Sequence, residues 1–220
     1  MLMKPDDFVL LFCNGEPLSR PRLESIIPHP KKIVCADGGA QKALSVGYKP
    51  DLIIGDLDSV DLTDPRISDV EIVKAASQEN TDFEKTLRFT LEHGWKHILV
   101  TSFSGGRIDH TLGNIQIAYE YSRQTINAHH PEEEAEIVLI DSQFMIFPVI
   151  RNLVLQTSPG TGISILPMED LTILSTRGLE YELAGRKLPR GGHGISNRAT
   201  QSEIEITIEC GGVMLFVKDV

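Results

Sequence analysis

The sequence of 220 residues lacks the features that mark several protein classes. It has only three cysteines, Cys13, Cys35 and Cys210, and no CxxC pair, so neither a disulfide framework nor a zinc site is indicated. No apolar run reaches the roughly 18 residues that a membrane-spanning helix needs. The first apolar run is short and follows Asp6 and Asp7, which is unlike a secretory signal. We therefore expect a cytoplasmic protein that does not associate with membranes.

The chain is also short of positive charge. It has 21 Lys and Arg residues against 31 Asp and Glu residues, which gives a formal net charge of −10. This balance argues against a nucleic-acid partner, because nucleic-acid backbones are held by clustered cations. It is compatible with a nucleotide ligand, provided that a divalent cation lies between protein carboxylates and phosphate.

Hydrophobic patterns divide the chain near residue 140. Before this point, short β-branched or leucine-rich runs alternate with helical patterns at 39–46, 80–93 and 109–121. This alternation predicts an α/β N-terminal domain over 1–140 with a mostly parallel, Rossmann-like sheet. The predicted strands are 8–12, 33–35, 52–54, 71–73, 98–100 and 137–140.

The C-terminal segment has a different period. Ile204, Ile206 and Ile208 alternate with polar residues, as in a strand with one buried face. Leu179, Tyr181 and Leu183 alternate with Glu180 and Glu182 in the same way. Several short strands separated by turns predict an all-β C-terminal sandwich domain over 141–220.

Polar loops follow four of the predicted parallel strands. Because ligands bind beyond the carboxyl ends of such strands, these loops are expected to form one site. The usual phosphate fingerprints, GxxxxGK[ST] and GxGxxG, are absent from the sequence. The candidate residues in the loops are Asp37, Gly38, Gly39, Asp56, Asp58, Gln78, Thr81, Asp82, Lys85, Gly105, Gly106, Arg107 and Asp109.

Each loop has a chemical and a structural interpretation. Asp56 and Asp58 are two residues apart on extended backbone and point to one side, which suits Mg²⁺. The glycine pairs let a phosphate approach the backbone, and Arg107 offers a bidentate phosphate donor. The structural alternatives are an Asx-rich turn at Asp56 and Asp58, tight strand-to-helix turns at the glycines, and a helix cap at Thr81.

Taken in order, these loops resemble the motifs of the bacterial type of the thiamine pyrophosphokinase family. Two further matches, GLEYEL and GISN, lie in the C-terminal segment, and a departure occurs at Glu79, where the family usually has Asp. A basic, glycine-rich stretch, 185–193, precedes the GISN match. The matching segments are CADGGA at 35–40, GDLDS at 55–59, QENTDFEK at 78–85, GGRIDHTLGN at 105–114, GLEYEL at 178–183 and GISN at 194–197.

The resemblance implies an activity and an assembly. The family transfers pyrophosphate from ATP to the hydroxyl of thiamine, giving thiamine diphosphate and AMP with Mg²⁺. It implies a nucleotide-binding catalytic domain over 1–140, a thiamine-binding domain over 141–220, and a homodimer with its active site at the subunit interface.

Residue roles are also implied by the resemblance. Asp56, Asp58 and Asp82 correspond to the metal site, and with Arg107 they form the predicted catalytic set, in which Asp82 orients or deprotonates the thiamine hydroxyl. The predicted thiamine contacts are Ser196 and Asn197. The predicted ATP and phosphate contacts are Asp37, Gly38, Gly39, Gln78, Thr81, Lys85, Gly105, Gly106 and Asp109.

Two other functions are open on the sequence alone. A metal-dependent glycosyltransferase also uses an Asp-x-Asp pair after a strand, and it would release a nucleoside diphosphate rather than AMP. A non-catalytic sensor of nucleotide or thiamine would bind its ligands without turnover. The product formed from ATP, thiamine and Mg²⁺ separates these functions.

Overall fold

The computed structural model forms two compact units. The parallel unit contains the described residues up to 117 and those from 134 to 141, and the antiparallel unit contains those from 118 to 127 and from 142 to 218. The predicted assignment of separate nucleotide-binding and thiamine-binding roles to 1–140 and 141–220 stays a prediction. The described residues are 7–75, 77, 79–127 and 134–218.

A six-stranded parallel sheet forms the core of the parallel unit. The strands lie in the order β6-β5-β1-β2-β3-β4. All six coincide with predicted runs, so the α/β class and the parallel sheet are confirmed. The strands are β1 (Val9–Phe12), β2 (Lys32–Ala36), β3 (Leu52–Gly55), β4 (Glu71–Lys74), β5 (His97–Thr101) and β6 (Glu136–Ile140).

Helices connect these strands and cover the sheet. Helix α3 packs on β2 and β3, and it buries Phe83, Leu87 and Thr90, which recur on one face of a helix. The Thr81 hydroxyl accepts a hydrogen bond from the Glu84 N–H and begins α3, as expected of the helix cap predicted at Thr81. The helices are α1 (Arg20–Ile26), α2 (Gly39–Ser45), α3 (Asp82–Glu92) and α4 (Ile108–Asn127), and a 3-10 helix covers Pro65–Ile67.

Two helices differ from the predictions. Helix α1 was not predicted, because it buries only Leu23 and so shows no apolar period. Helix α4 was predicted over 109–121 but continues to Asn127. The described residues of α4 up to 117 belong to the parallel unit and the rest to the antiparallel unit.

Two antiparallel sets of four strands form the antiparallel unit. One has the order β12-β9-β14-β7 and the other the order β11-β10-β13-β8. The all-β character is confirmed, whereas the sandwich packing stays a prediction. The strands are β7 (Phe144–Val149), β8 (Leu153–Gln156), β9 (Gly162–Pro167), β10 (Ile173–Arg177), β11 (Arg186–Lys187), β12 (Asn197–Arg198), β13 (Glu203–Cys210) and β14 (Val213–Lys218).

The predicted strand from Leu179 to Leu183 is wrong. Both leucines are buried, but Tyr181 between them is 67% exposed. The Glu182 carboxylate accepts hydrogen bonds from the N–H groups of Gly178 (2.7 Å) and Leu179 (3.0 Å), and this closes a turn. The alternation of polar and apolar residues therefore reflects a turn with two buried ends and not a pleated strand.

No helix in the described ranges is both long and apolar enough to cross a membrane.

A glycine at the start of α2 is required by close packing. A Cβ at Gly39 would lie 2.2 Å from the Phe12 carbonyl oxygen. We expect Gly39→Ala to lower the free energy of unfolding by about 1–3 kcal/mol, which thermal unfolding would register as a fall of several degrees in Tm. Gly113→Ala is the control, because its Cβ would meet nothing within 4 Å and helical alanine stabilises by up to about 1 kcal/mol. Equal Tm values for both variants would contradict this assignment.

Candidate active site

A cavity of about 500 Å³ lies at the carboxyl edge of the parallel sheet. Its walls come from the residues that follow β1, β2, β3 and β5 and from the first turns of α3 and α4, all within the parallel unit. This is the edge at which open parallel sheets bind ligands. The predicted site residues that line it are Asp37, Asp56, Asp58, Thr81, Asp82, Lys85, Gly106 and Arg107.

The remaining predicted residues have other positions. Ser196 and Asn197 belong to the antiparallel unit, and Gln78 lies outside the described residues. Of the described residues predicted for the phosphate site, those that do not line the cavity are Gly38, Gly39, Gly105 and Asp109.

Three carboxylates converge on one side of the cavity. Asp37, Asp56 and Asp58 each offer an oxygen, and these oxygens lie within 4.8 Å of one another. Asp37 is only 4% exposed, and its Oδ1 has no hydrogen-bond partner within the described part of the chain. Burial raises the pKa of Asp37, and the charges of Asp82 and Asp58 act in the same direction. A buried acid with a free oxygen beside two more carboxylates suits a hard divalent cation such as Mg²⁺.

The backbone around these aspartates has positive φ values, which residues other than glycine rarely adopt. Asp37 has φ 45° and Leu57, between the two other aspartates, has φ 71°. A Cβ at Gly55 would lie 2.7 Å from the Asp37 Cβ, so only glycine lets the two loops approach so closely. Such strain persists where surrounding structure fixes it and is common at functional sites.

Sequence reasoning placed Asp37 in a phosphate loop and missed its place in the acidic cluster. The cluster forms because β2 and β3 are neighbours, with Ala36 paired to Ile54. Neighbouring parallel strands bring the residues at their carboxyl ends to one edge. The available signal was therefore an aspartate directly after each of two adjacent strands.

The start of α3 carries an ion pair. The Lys85 ammonium lies 2.9 Å from Asp82 Oδ1, and Lys85 is only 4% exposed. Both residues line the cavity. Asp82 is not a member of the three-carboxylate cluster, so its predicted metal contact stays a prediction.

On the side of the cavity formed after β5, Arg107 pairs with Asp109. The guanidinium donates from Nε to Oδ1 (3.1 Å) and from Nη2 to Oδ2 (2.5 Å). This hydrogen-bonded pair lowers the pKa of Asp109 to about 2. Arg107 thus lines the cavity with two of its N–H groups bonded to a carboxylate.

The glycines of the predicted phosphate loops have distinct roles in packing. A Cβ at Gly38 would lie 2.5 Å from the Asn14 side chain. Gly105 has φ +84°, and its Cβ would lie 2.4 Å from Glu16. A Cβ at Gly106 would meet nothing within 4 Å, so among these glycines Gly106 is open toward a ligand.

In the antiparallel unit, Asn197 holds an exposed aromatic residue. Its side-chain oxygen accepts from the Tyr181 N–H (3.1 Å), and its amide donates to the Tyr181 carbonyl (2.7 Å). Both polar atoms of the Asn197 side chain therefore already form hydrogen bonds with the backbone of Tyr181. The neighbouring Ser196 is exposed and has φ 63°.

Comparison with known proteins identifies the family of the chain. Residues 23–129 match the family model of the thiamin pyrophosphokinase catalytic domain, and residues 152–213 match that of the thiamin pyrophosphokinase vitamin B1 binding domain. The chain belongs to the thiamine pyrophosphokinase family. It is an enzyme of this family, and the family makes thiamine diphosphate from thiamine. Membership favours this activity over a glycosyltransferase or a sensor.

Alignments with individual relatives cover most of the chain. Thiamine pyrophosphokinase 1 of Arabidopsis thaliana is 28% identical over 228 residues, covering 90% of this chain and 82% of the relative. The Bacillus subtilis thiamine pyrophosphokinase is 30% identical over 154 residues, covering 67% and 68%.

Solved structures share the fold. The Candida albicans thiamin pyrophosphokinase superposes with a TM-score of 0.81 at 19% identity, over 98% of this chain and 90% of that one. The crystal structure of the Bacillus subtilis enzyme gives 0.79 at 23% identity, over 96% and 98%.

The acidic cluster predicts how Mg²⁺ affects stability. Asp37→Asn removes a buried charge next to two carboxylates, and Asn tolerates the positive φ, so we expect a higher Tm without Mg²⁺. Mg²⁺ at about a hundredfold its Kd should raise the wild-type Tm by about 5–10 °C and the Asp37→Asn Tm far less. Asp61→Asn, which changes the same charge outside the cluster, should keep the full shift. An equal Mg²⁺ shift in all three proteins would remove Asp37 from the cation site.

Proposed function

We propose that this enzyme transfers the terminal pyrophosphate of ATP to the hydroxyl of thiamine in an Mg²⁺-dependent reaction. The thiamine oxygen forms a bond to the β-phosphorus, the bond from that phosphorus to the α-phosphate oxygen breaks, and the hydroxyl proton is released. The products are thiamine diphosphate and AMP. The observation that carries this proposal is the three-carboxylate cluster in one cavity with Lys85 and Arg107.

The residues present fit a magnesium ion. Asp37, Asp56 and Asp58 offer hard oxygen ligands within 4.8 Å of one another. The Oδ1 of Asp37, which has no hydrogen-bond partner in the described chain, would be one of these ligands. When bound, Mg²⁺ would neutralise phosphate charge and align the transferred group. The fixed loops around the three aspartates keep the ligand oxygens in place before the nucleotide arrives.

The cationic residues have separate tasks in this proposal. Arg107 would bind phosphate oxygens through its planar fork, sharing or exchanging its contacts with Asp109. Lys85 holds the Asp82 carboxylate at the start of α3. Asp82 would then orient the thiamine hydroxyl or accept its proton. Phosphoryl transfer depends mainly on such positioning and on charge stabilisation.

We assign thiamine recognition to the turn that contains Ser196 and Asn197. The match of 152–213 to the vitamin B1 binding domain supports this assignment. The exposed Tyr181 ring, held by Asn197, offers a flat π-surface, and such surfaces attract cations such as the thiazolium of thiamine. Asn197 acts in this account as a positioning residue for Tyr181.

We also propose a homodimer in which each active site is completed by the partner's antiparallel unit. All residues that line the cavity belong to the parallel unit, whereas the proposed thiamine turn belongs to the antiparallel unit, and the partner's copy of this turn would complete the site. A cytoplasmic location is proposed with it, since all three cysteines are free and thiols persist in a reducing compartment.

The reaction is tested by product analysis together with a metal-site variant. Wild type with ATP, thiamine and Mg²⁺ should release AMP and thiamine diphosphate in equal amounts. Asp56→Asn should lower kcat/KM by at least about 100-fold, because a lost metal ligand removes transition-state stabilisation. Asp61→Asn should retain activity. Release of ADP, or an Asp56→Asn variant with a third of wild-type activity, would contradict the proposal.

Arg107→Lys tests the phosphate fork. Lysine keeps the charge but loses the two-donor geometry, so we expect about a 10- to 100-fold loss of ATP affinity with thiamine affinity unchanged. Arg88→Lys is the matched control, because Arg88 is exposed, pairs with Glu92 and lies outside the residues that line the cavity. Calorimetry on each ligand measures both effects. Equal ATP affinities for Arg107→Lys and Arg88→Lys would remove Arg107 from the phosphate site.

Subunit mixing tests the shared site. Asp82→Asn and Asn197→Ala chains should each be inactive alone, whereas mixed dimers contain one site with neither lesion. With random exchange, about a quarter of wild-type activity should return. Because Asn197 also holds a turn, Tyr181→Ala provides a second lesion on the thiamine side. Exchange confirmed by mass labelling, without recovery of activity in either mixture, would place both residues in one chain's own site.

A further inference from the structure

Ser102 is a buried residue of the cavity that the proposed reaction does not use. It follows β5, is 2% exposed and lines the cavity. Its hydroxyl has no hydrogen-bond partner in the described ranges of the chain. Its backbone has φ 55°, a conformation that favours glycine over serine. Both features cost stability, because a buried hydroxyl without a partner has lost its hydration.

A rigid frame holds Ser102 in this conformation. The carbonyl of Ser102 accepts from the Gly15 N–H (2.6 Å), that of Phe103 from Asn114 Nδ2 (3.0 Å), and that of Ser104 from the Glu16 N–H (2.8 Å). Three consecutive carbonyl groups are therefore fixed from two sides.

Gly15 is required for this frame. A Cβ at that position would lie 2.1 Å from the Ser104 carbonyl oxygen and 2.5 Å from that of Ser102. The two loops therefore pack closely against each other where the Ser102 backbone has its positive φ. Strain that is fixed by its surroundings in this way is typical of residues that act on a ligand.

The position of Ser102 indicates which part of the nucleotide it would contact. Strand β1 lies between β5 and β2, and neighbouring strands are about 4.8 Å apart, so Ser102 lies about two strand spacings from Asp37. The phosphates are proposed to bind between the aspartates and Arg107, so their charge is already matched by the cation and the guanidinium. An uncharged hydroxyl at this distance matches an uncharged, hydrogen-bonding part of the nucleotide.

We propose that the Ser102 hydroxyl hydrogen-bonds the nucleoside portion of ATP, which makes it a further substrate-contacting residue. This inference rests on the proposed function, in which ATP occupies the cavity. The strained backbone and the unpaired hydroxyl are then both compensated when the nucleotide binds.

The test compares Ser102→Gly and Ser102→Ala with a neighbouring control. Thr101→Val removes another buried hydroxyl without a partner in the described chain, but Thr101 is outside the residues that line the cavity. Calorimetry measures the affinities for AMP, ATP and thiamine separately, and thermal unfolding gives Tm. AMP is the decisive probe because it carries the nucleoside but lacks the transferred phosphates.

Both Ser102 variants should bind AMP and ATP about 3- to 10-fold more weakly, the effect of one uncharged hydrogen bond, with thiamine affinity unchanged. Ser102→Gly should have a Tm equal to or above that of wild type, since glycine adopts the positive φ without strain. Thr101→Val should match wild type in all three affinities.

Three results would overturn the inference: unchanged AMP affinity in both Ser102 variants, a loss confined to ATP or to thiamine, or a lower Tm for Ser102→Gly. If any one of these results occurs while wild type still forms AMP from ATP and thiamine, only the role of Ser102 fails. If wild type binds neither AMP nor ATP, the proposed function fails with it.

Discussion

Repulsion among carboxylates at one edge of a parallel sheet is the constraint on which the site depends. Asp37 is buried, carries an oxygen without a partner in the described chain, and faces Asp56 and Asp58. Nothing in the hydrophobic core requires this arrangement, and burial opposes it by disfavouring the charged form of Asp37. A bound cation would resolve this conflict, and this is the role that we propose for Mg²⁺.

The surrounding backbone is strained in the same region. Among the described residues, non-glycine residues with positive φ are Asp37, Leu57, Ser102 and Ser196. The first three flank the cavity or the acidic pair, and the fourth lies in the proposed thiamine turn. Close approaches occur at Gly15, beside the Ser102 carbonyl group, and at Gly55, beside Asp37. The strained backbone and the buried polar atoms without partners thus occur at the positions proposed to contact ligands. This is expected where a functional site lowers the stability of the fold.

The sequence predicts the parallel sheet well because each central strand is a short apolar run, and it predicts the Asp56 and Asp58 pair because their spacing is local. It does not predict that Asp37 joins them, since strand order is a property of the whole sheet. Helix α1 escapes detection because it buries only Leu23. The predicted strand at Tyr181 is wrong because the Glu182 side chain closes a turn. A side-chain contact of this kind leaves no periodic pattern in the sequence.

We propose that one metal-nucleotide complex binds between the acidic cluster and Arg107. A crystal structure with Mn²⁺ and a non-hydrolysable ATP analogue tests it most directly, because anomalous scattering locates the metal. We expect a metal peak about 2.0–2.3 Å from carboxylate oxygens of Asp37, Asp56 and Asp58, with phosphate oxygens completing the coordination. A metal peak away from these three residues, or phosphates bound outside this cavity, would contradict it.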